Sequence, residues 1–353
     1  MPDTTGGSAG ADGSSGRVYS RRALLSTGTA VGIASIAGCA GNSGGGGDDV
    51  ITVGASSSTT GATSEEGLTM KQGYELWVEM INESGGILED DADGLLGREV
   101  ELIHYDDQSD PQRGVNLYQR LINEDNVDLL LGPYGSTVSS ATIPIIEDAG
   151  YASVMPMMSD TTVLEERDVQ YVTQAIAPAN TYVRSAIDIG VENGAETIAV
   201  VYEDAAFPTS VAEGHVPYAE EQGLEVVFQE AYPNDINDYT SVLNAVQDEE
   251  PDIVMGGGYT EDAIGLTQAA ESVGLSPGIF AWVVGGMAPA FAESVGDAAV
   301  GVTGDLFWAP FFELPYNQAF LDGFMDLFSD QYDEPTDRHY HSAGGFAGCL
   351  VME

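Results

Sequence analysis

The sequence predicts an α/β protein built as two doubly wound parallel-sheet lobes. Three observations carry that expectation. Short apolar runs alternate with amphipathic helical patterns from residue 50 onward, the alternation restarts near residue 197, and 353 residues are enough chain for two domains. Alternation of this kind folds as right-handed βαβ units whose strands lie parallel and are covered on both faces.

In chain order, V-I-T-V-G at 50–54 reads as the first strand, and 56–63 as a loop opening with five consecutive hydroxyl residues. A helix over about 64–84 puts Met70, Gly73, Tyr74, Trp77 and Ile81 on one stripe and Lys71, Glu75, Glu79 and Asn82 opposite. The second strand is E-V-E-L-I-H-Y at 99–105. D-D-Q-S-D-P at 106–111 then caps a helix carrying Val115, Tyr118, Leu121 and Ile122. A third strand at 127–131 empties through Gly-Pro and Gly135 into a helix over 136–148, kinked by Pro144, and a fourth strand follows at 151–155. In the second half, strands are expected at 197–202, 224–231, 252–255, 279–283 and 300–303, with helices at about 180–192, 209–222, 238–249, 260–273 and 288–294. Residues 306–308 read as a crossing strand and 316–330 as a helix. A last helix starts near Tyr340 and reaches Glu353 in mid-pattern without a cap, so the chain is expected to be truncated there.

The first 49 residues differ in kind. Residues 1–19 are rich in Gly, Ser and Asp and are expected to be disordered. The pair Arg21 and Arg22 precedes a weakly apolar run to Ala37, too short and polar for a transmembrane helix and suited to an export signal. It resembles a twin-arginine signal, and I-A-G-C at 36–39 resembles a lipobox, in which cleavage before Cys39 is followed by lipidation of its sulfur. Residues 1–38 would then be the lipoprotein signal, and the Gly-rich 39–49 a flexible tether holding the protein to the outer face of the membrane.

Fifty-seven Asp and Glu oppose ten Lys and Arg, giving a net charge of −47, and Lys71 is the only lysine. Such a surface repels nucleic acid and anionic membranes and strains the compact state at low ionic strength. Acid spread over the whole chain reads as adaptation to molar salt, where screening shortens the Debye length to about 3 Å. Two cysteines are too few for a disulfide framework, and Cys349 falls on an apolar helix face.

In open parallel sheets ligands sit beyond the carboxyl ends of strands. The residues there include Ser57 and Thr59, then Tyr134, Ser136 and Thr137, then Met157 and Ser159, and in the second half Phe207, Tyr259 and Gly286. This set holds hydroxyls, glycines and aromatics and no cation. A helix N-terminus at Ser136 offers unpaired backbone N–H groups and a favourable dipole to a carboxylate or phosphate, or simply caps a strand-to-helix turn. No G-x-S-x-G, P-loop, H-E-x-x-H or C-x-x-C is present, and His104, His215, His339 and His341 are scattered, so no cofactor, metal site or reaction is expected. An enzyme using Ser136 or Ser159 as nucleophile would need a base beside it.

The strand and hydroxyl loop V-I-T-V-G-A, the helix K-Q-G-Y-E-L-W-V-E-M-I-N with Gly85 and Gly86 after it, L-I-H-Y-D-D-Q-S-D-P, and V-D-L-L-L-G-P-Y-G-S together resemble the type I solute-binding proteins of ABC importers. Within that group they are similar to the branched-chain amino acid and amide-binding branch, and with the acidic surface they point to a halophilic archaeon. The resemblance covers about 50–350. It implies a monomer of two lobes joined by a three-strand hinge, 50–174 plus 306–353 and 175–305, which close on a small solute and deliver it to permease and ATPase subunits. A sensor ectodomain of the same fold is the alternative it leaves. It also implies that the Ser136 turn and the Met157 to Ser159 loop receive a carboxylate, and that Phe207 and Tyr259 cover the ligand. Where amino acid binders place a glutamate against the ammonium, this chain reads V-G-G-M at 284–287, which favours a carboxylate or amide unless Asp160, Glu261 or Asp262 substitutes.

Overall fold

The computed structural model describes residues 50–86, 94–332 and 340–353; the export signal, the lipidation site Cys39, the tether and His339 lie outside the described residues. The first sheet holds β1 (Val50–Ser57), β2 (Glu99–Asp106), β3 (Leu129–Leu131), β4 (Ser153–Met155) and β5 (Val172–Gln174), ordered β2-β1-β3-β4-β5. The second holds β6 (Thr197–Glu203), β7 (Glu225–Tyr232), β8 (Ile253–Gly257), β9 (Ile279–Trp282) and β10 (Val302–Thr303), ordered β7-β6-β8-β9-β10. All pairings between these strands are parallel, and the two orders are the same, so each sheet has its switch point between its first and third strands.

The helices are α1 (Ser64–Ser84), α2 (Pro111–Asn123), α3 (Ser136–Ala149), α4 (Thr162–Glu166), α5 (Arg184–Glu192), α6 (Ala206–Glu221), α7 (Thr240–Asp248), α8 (Thr260–Val273), α9 (Pro289–Val295), α10 (Asn317–Leu327) and α11 (Tyr340–Leu350). The stripe expected on α1 is buried: Met70, Tyr74 and Trp77 are fully enclosed and Ile81 nearly so. Asp110, not Asp106 or Asp107, caps α2, accepting from the Arg113 N–H, with Pro111 in the first turn. Cys349 is enclosed on α11.

Two expectations are corrected. Residues 172–174 form an edge strand that the pattern did not announce, because V-T-Q is short and half-exposed and has no apolar run. Residues 306–308 form no strand. Their rings pack instead: Phe307 lies 4.7 Å from the Tyr182 ring, and Trp308 Nε1 donates to Asn317 Oδ1 at 2.7 Å.

Helices α1 and α11 approach so closely that only glycine fits at their contact. A Cβ on Gly73 would lie 2.2 Å from the Ser342 carbonyl oxygen. Gly73→Ala is therefore expected to push the helices apart and lower stability by about 1–3 kcal/mol, read as a lower denaturant midpoint at constant salt.

Ion pairs between described residues are Lys71–Glu75, Arg120–Glu124 and Arg120–Asp125, all on partly exposed side chains that contribute little. Ten Lys and Arg cannot neutralise 57 Asp and Glu, so most of the acidic charge faces solvent and salt. Thermal midpoints should fall on transfer from about 3 M to about 0.1 M KCl, where the Debye length grows to about 10 Å. Equal midpoints would overturn the reading of a salt-adapted surface.

Candidate ligand-binding site

The sheets bring their carboxyl ends toward one small cavity. Tyr134, Gly135 and Ser136 reach it from the turn after β3, Met157 and Ser159 from the chain after β4, and Phe207, Tyr259 and Val284 from the ends of β6, β8 and β9. Ile176 and Tyr182, on the segment crossing between the sheets, and Tyr340 and His341, at the start of α11, complete the wall.

Gly135 holds φ at +78°, which turns the chain sharply into α3 and leaves the first N–H groups of the helix without intrahelical partners. Ser136 Oγ lies on this rim and accepts from the Ser159 and Asp160 N–H groups at 3.3 and 3.1 Å. A hydroxyl that accepts two N–H bonds keeps its own proton to donate, and donates it more strongly. The rim can therefore hold an anionic oxygen without a cationic side chain.

The other walls are aromatic, and their ring contacts close on themselves. Tyr134 lies 6.3 Å from Tyr259, Tyr259 5.6 Å from Phe207, and Phe207 5.8 Å from Tyr182. From Tyr182 the contacts run through Phe307 to Tyr340 at 4.7 and 5.3 Å, and through His341 back to Tyr134 at 4.1 and 4.9 Å. Tyr134 OH and His341 Nε2 share a hydrogen bond of 3.1 Å that fixes one side of this belt.

Ser57, Thr59, Thr137 and Gly286 lie outside the cavity lining. The parallel register sets Ser57 beside Asp106, and the hydroxyl loop after β1 is consumed by the acids after β2. Ser56 and Ser58 donate to Asp107, Thr60 donates to Asp106 through its hydroxyl, and the Thr59 N–H donates to Asp106 at 3.0 Å. Ser57 Oγ pairs with His104 Nε2 at 2.8 Å and is buried. Thr137 points to solvent, and Gly286 sits against Trp282 and the Thr303 carbonyl.

Two of the acids considered for an ammonium are engaged locally. Asp160 accepts from the Thr162 N–H and hydroxyl, and Asp262 from the Tyr259 N–H and the Tyr239 hydroxyl. Three further acids lie within electrostatic reach of the lining tyrosines: Glu203, which ends β6 and opens the strand-end stretch 203–207, and Glu66 and Asp305, which the sequence pattern did not single out. Burial pushes Glu66 up to about 7, Glu203 to about 8 with Asp262 and Asp204 adding to it, and Asp305 to about 6. Burial also lowers His104 and His215 to about 4.

These shifts oppose one another below pH 6.5, where unfolded histidines take protons that the folded ones refuse. Between about 6.5 and 8 the acids act alone, and stability held while Glu66 and Glu203 are protonated is lost as pH rises through their folded values. The melting temperature in constant salt should fall from pH 6.5 to 8.5, and Glu203→Gln should remove the part above pH 7. Among the described residues no group of three His, Cys, Asp or Glu is placed to hold a metal.

The sequence pattern of the periplasmic binding proteins matches residues 50–353. The chain belongs to the periplasmic binding protein family. This periplasmic binding protein is 25% identical over 296 residues to the Leu/Ile/Val-binding protein homolog 7 of Brucella suis, covering 80% of this chain and 70% of that one. Its fold matches a solute-binding protein of an ABC transporter from R. palustris in complex with 4-hydroxybenzoate, at a TM-score of 0.71 and 19% identity, over 86% of this chain and 79% of that one. It matches equally the branched-chain amino acid transporter substrate-binding protein from Streptococcus pneumoniae in complex with isoleucine, at a TM-score of 0.71 and 19% identity, over 86% and 83%. The similar structures are thus binding proteins, and the two α/β sheets of this chain are those of their fold. Among the described residues no helix is long and apolar enough to cross a membrane.

Proposed function

We propose that this periplasmic binding protein is the solute-capturing component of an ABC importer, exported by a twin-arginine signal, anchored through lipid on Cys39 and working as a monomer. One observation carries the reading: a single small cavity is walled by the carboxyl ends of both sheets and belted by rings from each. Residues 50–174 plus 306–353 would form one lobe and 175–305 the other, closing by rotation about the crossing segments. The solute has a carboxylate at the Ser136 rim and a compact apolar body against Tyr134, Phe207, Tyr182 and Tyr259. Branched-chain amino acids and small aromatic acids both meet that description, as do the ligands named for the relatives.

No reaction is proposed: Ser136 Oγ accepts two backbone N–H bonds, and the His341 imidazole on the same wall is hydrogen-bonded to Tyr134 through Nε2. A panel of branched-chain amino acids, their amides and benzoates, screened in multimolar salt, should give one class that raises the melting temperature and is recovered unchanged. A product formed from the ligand would overturn the reading.

A further inference from the structure

Glu66 lies in the first turn of α1, over the first sheet, and is only 2% exposed. Thr260 opens α8, over the second sheet, and its Oγ1 donates to Glu66 Oε1 at 2.7 Å. A buried hydrogen bond thus joins the helical layers of the two sheets at the edge of the cavity. We propose that Glu66 and Thr260 form a clasp that shuts the cavity and that closing it takes up one proton. The proposal rests on the two-lobe reading above and adds its control.

The surroundings of Glu66 explain why a proton is needed. Tyr134 on the turn after β3, Tyr259 ahead of α8 and Tyr340 on α11 all lie within reach of its charge. Tyr134 in turn shares a hydrogen bond with His341 on α11. On α1 its neighbour Glu65 adds repulsion, and Glu65 is itself faced by Glu261 and Glu293. Behind Tyr259 stand Glu203 and Asp262. Enclosed in this way the carboxyl is held at about 7, the Thr260 hydrogen bond offsetting only part of the burial.

With the lobes apart Glu66 would meet water and titrate near its ordinary value of 4.5. The clasped pKa is the raised one, so the proton's contribution to closure is fully present below about 4.5 and is lost as pH rises to about 7. The closed-to-open ratio should fall by up to about tenfold per pH unit between those values and then level off.

The test uses the protein without solute, with Cys39→Ser and spin labels at Asn123→Cys and Gln222→Cys, two exposed positions at the C-terminal ends of α2 and α6. Distances are measured by pulsed electron resonance in molar KCl from pH 5 to 8.5, with near-ultraviolet circular dichroism to verify folding. The short-distance population of the otherwise unaltered protein should shrink as pH rises and level off above 7. Glu66→Gln, which keeps an acceptor for Thr260 and cannot ionise, should be flat across the range, and Thr260→Val should lower the short-distance population throughout. Coincident pH profiles for Glu66 and Glu66→Gln proteins, or a distance that never changes with pH, would overturn the clasp. The solute screen at one pH is a separate readout, so the binding reading stands or falls independently.

Discussion

Trp77→Ala is expected to destabilise the protein by about 3–5 kcal/mol, the range for removing a fully enclosed aromatic side chain. The indole sits on the buried stripe of α1, and its Nε1–H donates to Glu353 Oε1 at 2.8 Å. Truncation leaves a cavity in the core beneath α1 and α11 and removes the indole hydrogen bond to that carboxylate. The consequence reaches the site, because α1 carries Glu66 while α11 carries Tyr340 and His341. Denaturant unfolding at constant molar salt should show the lower midpoint, and Trp77→Phe should recover much of it. A loss within about 0.5 kcal/mol, as for a surface substitution, would show that these helices are not packed as described.

Ser136→Ala is expected to act twice. It leaves the buried Ser159 and Asp160 N–H groups without the hydroxyl that accepts them, at about 1–3 kcal/mol of stability. On the proposed reading it also removes the donor to the solute's carboxylate, so affinity for whichever solute the screen identifies should drop about 10- to 100-fold. Thr137→Ala is the control: its side chain is exposed and next in sequence, and it should change both quantities little. Affinity unchanged in Ser136→Ala, measured by calorimetry, would move the carboxylate elsewhere.

The two corrected elements show where sequence pattern stops being informative. The interior strands were legible because burial on both faces demands apolar runs, as in L-L-L at Leu129–Leu131. The edge strand Val172–Gln174 is buried on less of its surface, so its composition carries no such demand. At 306–308 the reverse holds: apolar residues satisfy ring packing against Tyr182 and Tyr340 and need no strand.

The site divides in the same way. Tyr134, Ser136, Met157, Ser159, Phe207 and Tyr259 could be named as candidates because each follows a strand, and strand ends are readable locally. Ser57 and Thr59 follow a strand too, but the register of β1 on β2 hands their loop to Asp106 and His104. Ile176 and Tyr182 sit on a crossing segment and Tyr340 and His341 at the start of α11, where no local pattern announces a ligand.

What the sequence alone determined about this protein is its alternating α/β architecture, the strand-end turn at Gly135 and Ser136, the acidic surface and the absence of familiar catalytic motifs. Periodicity and turn chemistry are local, and each leaves its mark within a few residues. Tertiary structure alone decided which aromatic rings meet, which hydroxyls are spent on neighbouring acids, and that Glu66 of the first helix is buried against Thr260. Those are contacts between residues as far as 207 positions apart, as with Tyr134 and His341. Only tertiary packing, of α11 back onto the first sheet's layers and of one sheet's layers against the other's, brings such residues within hydrogen-bonding distance.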